Sequence, residues 1–318
     1  MERKVTDLNE LPRFRDGLSY LYLEAGNIVQ HDFAVVWLSE MGSSQLPAAS
    51  LSVLMLGPGT SITHAAVHQL AQLGCSVLWV GQDLVRFYAC GTGETRSSLR
   101  VQRQARAWCD QSLHLRVVRK MYALRFGYPV PEEWTLEQLR GHEGVRVRTT
   151  YTEWSRKTGV PWYGRRYDRN KGQWNSSDPV NRALSSGAAC LYGVCHAAIV
   201  SAGYSTALGF LHTGKQLSFV YDVADIYKAS SVIPVAFQAV ADSPNHVESR
   251  VRTKLRDQFR ETRLLERVID DLNSLFPPNA SEAVVPDGVD GDDPALPGDL
   301  WEGDVYIPGG TAYGLDHS

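Results

Sequence analysis

The chain has 318 residues, with 32 Lys and Arg against 35 Asp and Glu, for a formal net charge of −3. This length suggests about two domains, and a composition of 43% hydrophobic and 21% charged residues excludes a disordered or collagen-like chain. A slightly acidic total argues at first sight against a polyanionic partner, but the charge is unevenly spread.

The N-terminal stretch MERKVTDLNELPRFRD has no apolar centre and does not read as a signal peptide. Residues 18–92 read as β-rich. Leu18–Leu23, Ile28–Gln30, Phe33–Leu38, Leu51–Leu56 and Val77–Val80 are rich in β-branched and aromatic residues, and Gly26, His31-Asp32, Gly42 and Gly57-Pro58-Gly59 punctuate them. One helix interrupts, with Thr63 as N-cap and its end at Gly74. The GPGT run at 57–60 lacks the lysine of a phosphate-cradling loop, and no G-x-S-x-G elbow is present. A nucleotide triphosphatase and an α/β-hydrolase are therefore disfavoured.

After Cys90 the pattern becomes helical. Val101, Ala105, Trp108, Leu115, Val118 and Tyr122 fall on one face of a single long helix, whose other faces carry Arg100, Arg103, Arg106, Arg116, Arg119 and Lys120. A second helix starts at Thr135, where Gln138 completes a capping box, and runs past Glu143 to about Lys157. Further helices are expected over 178–206, 222–241 and 247–275. Between Arg96 and Lys171 there are 17 Lys and Arg against 7 Asp and Glu, a basic footprint suited to a polyanion.

The stretch 183–214 carries no charged side chain and is long enough to span a bilayer. Its histidines, tyrosines and Ser/Gly-rich turns favour a buried core helix over a membrane span. Five cysteines (Cys75, Cys90, Cys109, Cys190, Cys195) without metal-type spacing read as reduced thiols in a cytoplasmic protein. From residue 277 to 318 the chain holds nine acidic residues, no Lys or Arg, six prolines and seven glycines. Such a segment reads as a disordered acidic tail. Without it the body has 32 basic against 26 acidic residues.

The segment GFLHTGKQLSFVYDVADIYK, residues 209–228, carries the chemistry. Asp222 and Asp225 share a helix face just beyond an apolar run, and two such carboxylates repel unless a cation neutralises them. With His212 they make an oxygen-rich set with one imidazole, suited to Mg²⁺ or Mn²⁺. Each residue also has a plain structural reading. His212 is then a buried histidine with satisfied nitrogens, Asp222 a charge complementing a helix dipole, and Glu143 a partner of Arg140 or Arg146 at helical spacing.

PGTSITHAAV (58–67), LRVVRKMYALRFG (115–127), QLRGHEGVRVR (138–148), GRRYD (164–168), CLYGV (190–194) and the 209–228 segment together resemble the CRISPR-associated adaptation integrases, the "Cas-one" family, in its type I-E subtype. The resemblance implies an α+β protein with an N-terminal β-sandwich domain (1–92) used for dimerisation. A C-terminal all-helical, catalytic and DNA-binding domain (93–276) follows, then the tail (277–318). It implies a metal-dependent DNA endonuclease and integrase that captures foreign DNA fragments and joins their 3′-OH ends into the CRISPR repeat. Glu143, His212 and Asp225 fall on the ligands of the Mg²⁺ or Mn²⁺ ion, and Asp222 on a further catalytic acidic position. Arg86, Arg140, Arg146, Arg148, Arg165, Arg166, Tyr167, Tyr192 and Lys215 fall on positions expected at DNA. The implied partners are double-stranded DNA, as prespacer and as repeat, and a dimer of the small "Cas-two" protein that joins two homodimers of this chain. Two departures stand out: Ala25 lies where the subtype has a tyrosine that wedges the duplex end, and Ser61 follows the P-G-T run where an arginine is common. The competing readings are a structure-specific nuclease acting on branched DNA with the same site, and a non-catalytic DNA-binding scaffold.

Overall fold

The computed structural model describes residues 20–92, 98–165, 178–277, 300–302 and 305–307. The N-terminal part contains strands β1 (Tyr20–Leu23), β2 (Gly26–His31), β3 (Ala34–Ser39), β4 (Gly42–Leu46), β5 (Val53–Leu56) and β6 (Thr60–Ile62), helix α1 (His64–Gln72), and strands β7 (Ser76–Val80) and β8 (Phe87–Gly91). They form two four-stranded sheets, ordered β1-β5-β7-β8 and β4-β3-β2-β6. The helical part contains α2 (Leu99–Cys109), α3 (Gln111–Phe126), α4 (Leu136–Thr158), α5 (Pro179–Ser201), α6 (Ser218–Lys228), α7 (Val232–Asp242), α8 (Val247–Glu261) and α9 (Leu264–Leu275). The expected α+β arrangement of a β region followed by a helical region is what the chain adopts.

Strand alternation explains how the two parts are joined. On one face of the β1-β5-β7 sheet, Leu21, Leu23, Leu54, Leu56 and Val77 pack with Ile28 and Val35 of the other sheet and with Ala66 and Leu70 of α1. On the opposite face, Val53, Met55, Leu78 and Val80 belong to the core of the helical part. Strand β5 is therefore apolar at every position, as a strand covered on both sides must be. The boundary at residue 92 separates two topologies but not two independent cores.

Helix α5 is the hub, in contact with α6, α7, α8 and α9. It is long and apolar enough to cross a membrane, yet 72% of its most apolar window is buried inside the protein. At Gly193 it touches the loop from Gly81 to Arg86 so closely that an added Cβ would lie 2.6 Å from the Arg86 backbone nitrogen and the Val85 carbonyl carbon. Asp83 and Leu84 take left-handed backbone conformations in that loop. Asp83 is held by Arg256, at 3.3 Å, and by Arg260. Its N–H donates to the Tyr22 hydroxyl at 2.8 Å. Nearby, His196 stacks on Phe87 with ring centroids 3.7 Å apart. Burial pushes the His196 pKa down to about 4, so it is a neutral packing ring.

Several boundaries differ from the sequence expectation. The single helix over residues 101–122 is two helices, broken at Asp110, whose carboxylate accepts from the N–H groups of Ser112 and Leu113 at 2.8 and 2.9 Å. A local side-chain acceptor thus ends one helix and starts the next. The 222–241 helix begins earlier, at Ser218, and divides into α6 and α7, while the 247–275 helix divides where Arg263 turns left-handed. Strands β4, β6 and β8 were not expected; β4 (GSSQL) and β6 (TSI) are short, largely polar edge strands. Thr135 and Gln138 do form the expected capping box, and Thr63 caps α1. The acidic tail lies outside the described residues apart from Pro277 and two short strands, β9 (Leu300–Glu302) and β10 (Val305–Ile307). These pair antiparallel where no structure was expected, in a part of the tail that carries Leu300, Trp301, Val305, Tyr306 and Ile307.

The Gly193 contact is against backbone, which cannot yield as a side chain tip can. Gly193→Ala is expected to lower unfolding stability by roughly 1–3 kcal/mol, read by urea denaturation. Gly141→Ala on α4, where an added Cβ meets nothing within 4 Å, is expected to be neutral or slightly stabilising.

Candidate active site

The loop between α5 and α6 carries His212, and two sets of polar side chains fix its path. The first is a stripe on α2. Arg100, Gln104 and Trp108 recur every four residues and so share one face. Arg100 donates to the Ala202 carbonyl at 3.1 Å. Gln104, fully buried, donates to the Ser205 and Leu208 carbonyls at 3.0 and 3.2 Å. It also accepts from the Ser205 N–H at 2.7 Å. Trp108 donates to the Gly209 carbonyl at 3.1 Å. At Gly209 a Cβ would sit 2.2 Å from the His212 carbonyl oxygen, so only glycine fits the loop's close return.

The second set is one carboxylate. Asp222 on α6 is completely buried. Its Oδ2 accepts from the N–H groups of Phe210 and Leu211 at 2.6 and 2.9 Å. Its Oδ1 accepts from the His212 N–H at 2.8 Å and from His212 Nδ1 at 2.6 Å. A carboxylate can only accept, so Nδ1 carries the proton and Nε2 is the nitrogen left for other work. The hydrogen bond to Asp222, helped by the charges of Asp222 and Asp225 and opposed by partial burial and Arg125, raises the His212 pKa above the ordinary imidazole value. All of the Asp222 acceptor positions are thus spent on the loop and its imidazole.

Glu143, His212 and Asp225 come from α4, the 202–217 loop and α6, and they line one cleft of about 770 Å³ together with Tyr122, Arg125 and Arg140. Asp225 has Lys228 Nζ 3.5 Å from its Oδ1. Arg125 of α3, which no sequence motif singles out, joins them. It is buried, contacts Glu143, and places Nη2 3.5 Å from Asp225 Oδ2. Glu143 thus pairs with Arg125, not with Arg140 or Arg146, the partners its plain structural reading offered. One signal was readable: Arg125 continues the buried stripe Val117, Val118, Met121, Tyr122 of α3, and an arginine on an apolar stripe needs a partner.

The expected DNA residues spread around this cleft. Arg140 lines it, and Lys215 lies exposed on the His212 loop. The Tyr192 ring meets Tyr221 edge-on at 5.1 Å, and Tyr221 meets His212 at 6.0 Å. Arg146 lines a second cleft beyond Arg125, beside Arg267 and Asp271. Arg148 is exposed further along α4. Arg165 donates to the Asn181 carbonyl at 3.4 Å near the start of α5. Arg86 sits in the loop against Gly193, away from the cleft. Arg166 and Tyr167 lie outside the described residues. Of the basic helix residues, Arg119 and Lys120 are engaged with carbonyls of Trp134 and Ser274, at 2.6 and 2.8 Å, and are structural. Ala25 occupies the first corner with a left-handed backbone, its N–H donating to the Pro58 carbonyl at 3.0 Å. Neither neighbouring tyrosine replaces a wedge there: Tyr20 donates to Glu266 at 2.8 Å and Tyr22 donates to Glu24.

Asparagine at position 222 would turn a donor toward N–H groups that need an acceptor. Asp222→Asn is expected to cost about 3 kcal/mol of stability, read by urea denaturation.

Residues 128–262 match the family of CRISPR associated protein Cas1. The Thermus thermophilus protein named CRISPR-associated endonuclease Cas1 2 is 55% identical over 314 residues, covering 98% of this chain and 94% of its own length. CRISPR-associated endonuclease Cas1 of Geobacter sulfurreducens is 44% identical, covering 90% and 96%. A crystal structure of a TtCas1–DNA complex superposes with a TM-score of 0.80 at 58% identity, covering 85% of this chain and 100% of that one. With relatives this similar over nearly its whole length, the chain belongs to the CRISPR-associated Cas1 family.

Proposed function

We propose that this protein is a metal-dependent DNA endonuclease and integrase of CRISPR adaptation, of the type I-E kind, joining the 3′-OH ends of captured duplex fragments to the CRISPR repeat. One observation carries the reading: Glu143, His212 and Asp225, from three separate elements, line a single cleft with Arg140. The names of the relatives and the DNA-bound neighbour support it.

The donor chemistry fits a divalent ion. Two carboxylates and one imidazole face the same space, and the imidazole is oriented from behind by a carboxylate on its other nitrogen, as metal-bound histidines usually are. Among the described residues no three His, Cys, Asp or Glu side chains stand close enough to ligate one ion as they are; Arg125 bridges Glu143 and Asp225 instead. Glu143, His212 through Nε2, and Asp225 would hold Mg²⁺ or Mn²⁺. Such an ion stabilises charge on the phosphate and the leaving oxygen and lowers the pKa of the attacking hydroxyl.

The chain's own residues do the rest. Asp222 fixes the His212 tautomer. Lys215 and Arg140, at the rim, place positive charge where a phosphate enters. Arg86, Arg146, Arg148, Arg165, Arg166, Tyr167 and Tyr192 extend the contact along the duplex. Backbone contacts carry no sequence information, which suits a protein that stores arbitrary DNA. A homodimer assembling with the Cas-two dimer completes the proposed machinery.

The test is half-site joining of a short 3′-OH duplex into repeat DNA, with Mg²⁺ or Mn²⁺ and the partner present. Wild type is expected to join, and His212→Ala and Asp225→Ala to fall to the level seen with chelator. Joining by both variants at the wild-type rate would refute the assigned site. Cleavage of branched DNA without joining, and without dependence on a 3′-OH, would favour the repair-nuclease reading.

A further inference from the structure

Arg125 is a buried cation in the cleft to which the proposed chemistry gives no part. Its side chain is only 3% exposed. One end of its fork contacts Glu143. The other, Nη2, lies 3.5 Å from Asp225 Oδ2 and donates to the Asp222 carbonyl at 3.4 Å. The guanidinium carbon stands 5.5 Å from the centre of the Tyr122 ring. Its buried Nε has no hydrogen-bond partner among the described residues.

These contacts divide into two kinds. The carboxylates of Glu143 and Asp225 are the oxygens a divalent ion would need. The Asp222 carbonyl and the Tyr122 ring are not, and both remain for the guanidinium if the carboxylates are taken. Glu143 and Asp225 are partly buried, 23% and 25% exposed; two carboxylates facing one cleft repel, and partial burial without a cation adds to the cost. A fixed guanidinium between them answers that cost when no ion is present.

We infer that Arg125 is a placeholder cation: it bridges Glu143 and Asp225 in the metal-free protein and must release Glu143 for a divalent ion to enter. The inference rests on the metal reading above. Loading is then an exchange of one cation for another rather than the filling of an empty site. It follows that Arg125 stabilises the metal-free fold and weakens metal binding at once. A residue that merely supports the fold would do only the first.

The test is Mn²⁺ binding to the full chain without DNA, followed by the electron paramagnetic resonance of free Mn²⁺, with thermal melts beside it. Arg125→Met is expected to melt lower without metal, to bind Mn²⁺ about 5-fold or more tighter than wild type, and to gain more melting temperature from added Mn²⁺. Arg125→Lys keeps the charge but cannot span both carboxylates, so it is expected to fall between the two, and it decides the matter if the methionine variant does not fold. Wild-type or weaker Mn²⁺ affinity in the folded variants, with wild type still binding, would overturn the placeholder role alone. Absence of Mn²⁺ binding by wild type, or equal binding by His212→Ala, would overturn the metal reading and this inference with it.

Discussion

Four hydrogen bonds to one buried carboxylate organise the site. Asp222 accepts from three consecutive backbone N–H groups, those of Phe210, Leu211 and His212, and from the imidazole of His212. Without this anchor the loop would have three unsatisfied donors next to an apolar helix, and the imidazole would be free to turn. With it, Nδ1 is engaged, and Nε2 is the nitrogen left free of Asp222 on a ring that lines the cleft. The α2 stripe of Arg100, Gln104 and Trp108 holds the preceding part of the loop, so the histidine sits on a segment tied at both ends.

The same economy shapes the larger architecture. One sheet serves two cores, because successive side chains of β5 and β7 point to opposite faces. The helical part therefore rests directly on the β part, with Asp83, Gly193 and the arginines of α8 closing the seam. This places Arg86 at the seam rather than in the cleft. A duplex that touches both Arg86 and the His212 cleft would have to run across the joint between the two parts.

The legible portion of the fold was the portion governed by local rules. Thr63, Thr135 and Gln138 cap where side-chain chemistry says they cap, and the strands with strong alternation formed. The break at Asp110 was hidden because the apolar positions on either side of it are seven residues apart, two full turns, so the phase survives the interruption. The polar edge strands β4 and β6 carry too little apolar patterning to stand out. The site divides in the same way. Asp222 and Asp225 were visibly unusual as a pair of acids beside an apolar run, but spacing alone assigned both to one ion. Only the three-dimensional path of the 209–212 loop separates the anchor from the cleft-facing carboxylate. That Glu143 shares a cleft with His212 came from the family resemblance, since no periodic rule links residues on different elements. Arg125 was written in the α3 stripe and needed only the question of what neutralises a buried guanidinium.

Two aspartates three residues apart divide the labour: Asp222 holds the histidine and Asp225 lines the cleft. A crystal of the metal-free protein soaked in Mn²⁺ and measured for anomalous scattering tests it most directly. The expected peak is bounded by Glu143, His212 Nε2 and Asp225, with Asp222 still bonded to Nδ1 and to the loop N–H groups. A peak with Asp222 among its ligands, or one lying away from this cleft, would contradict it.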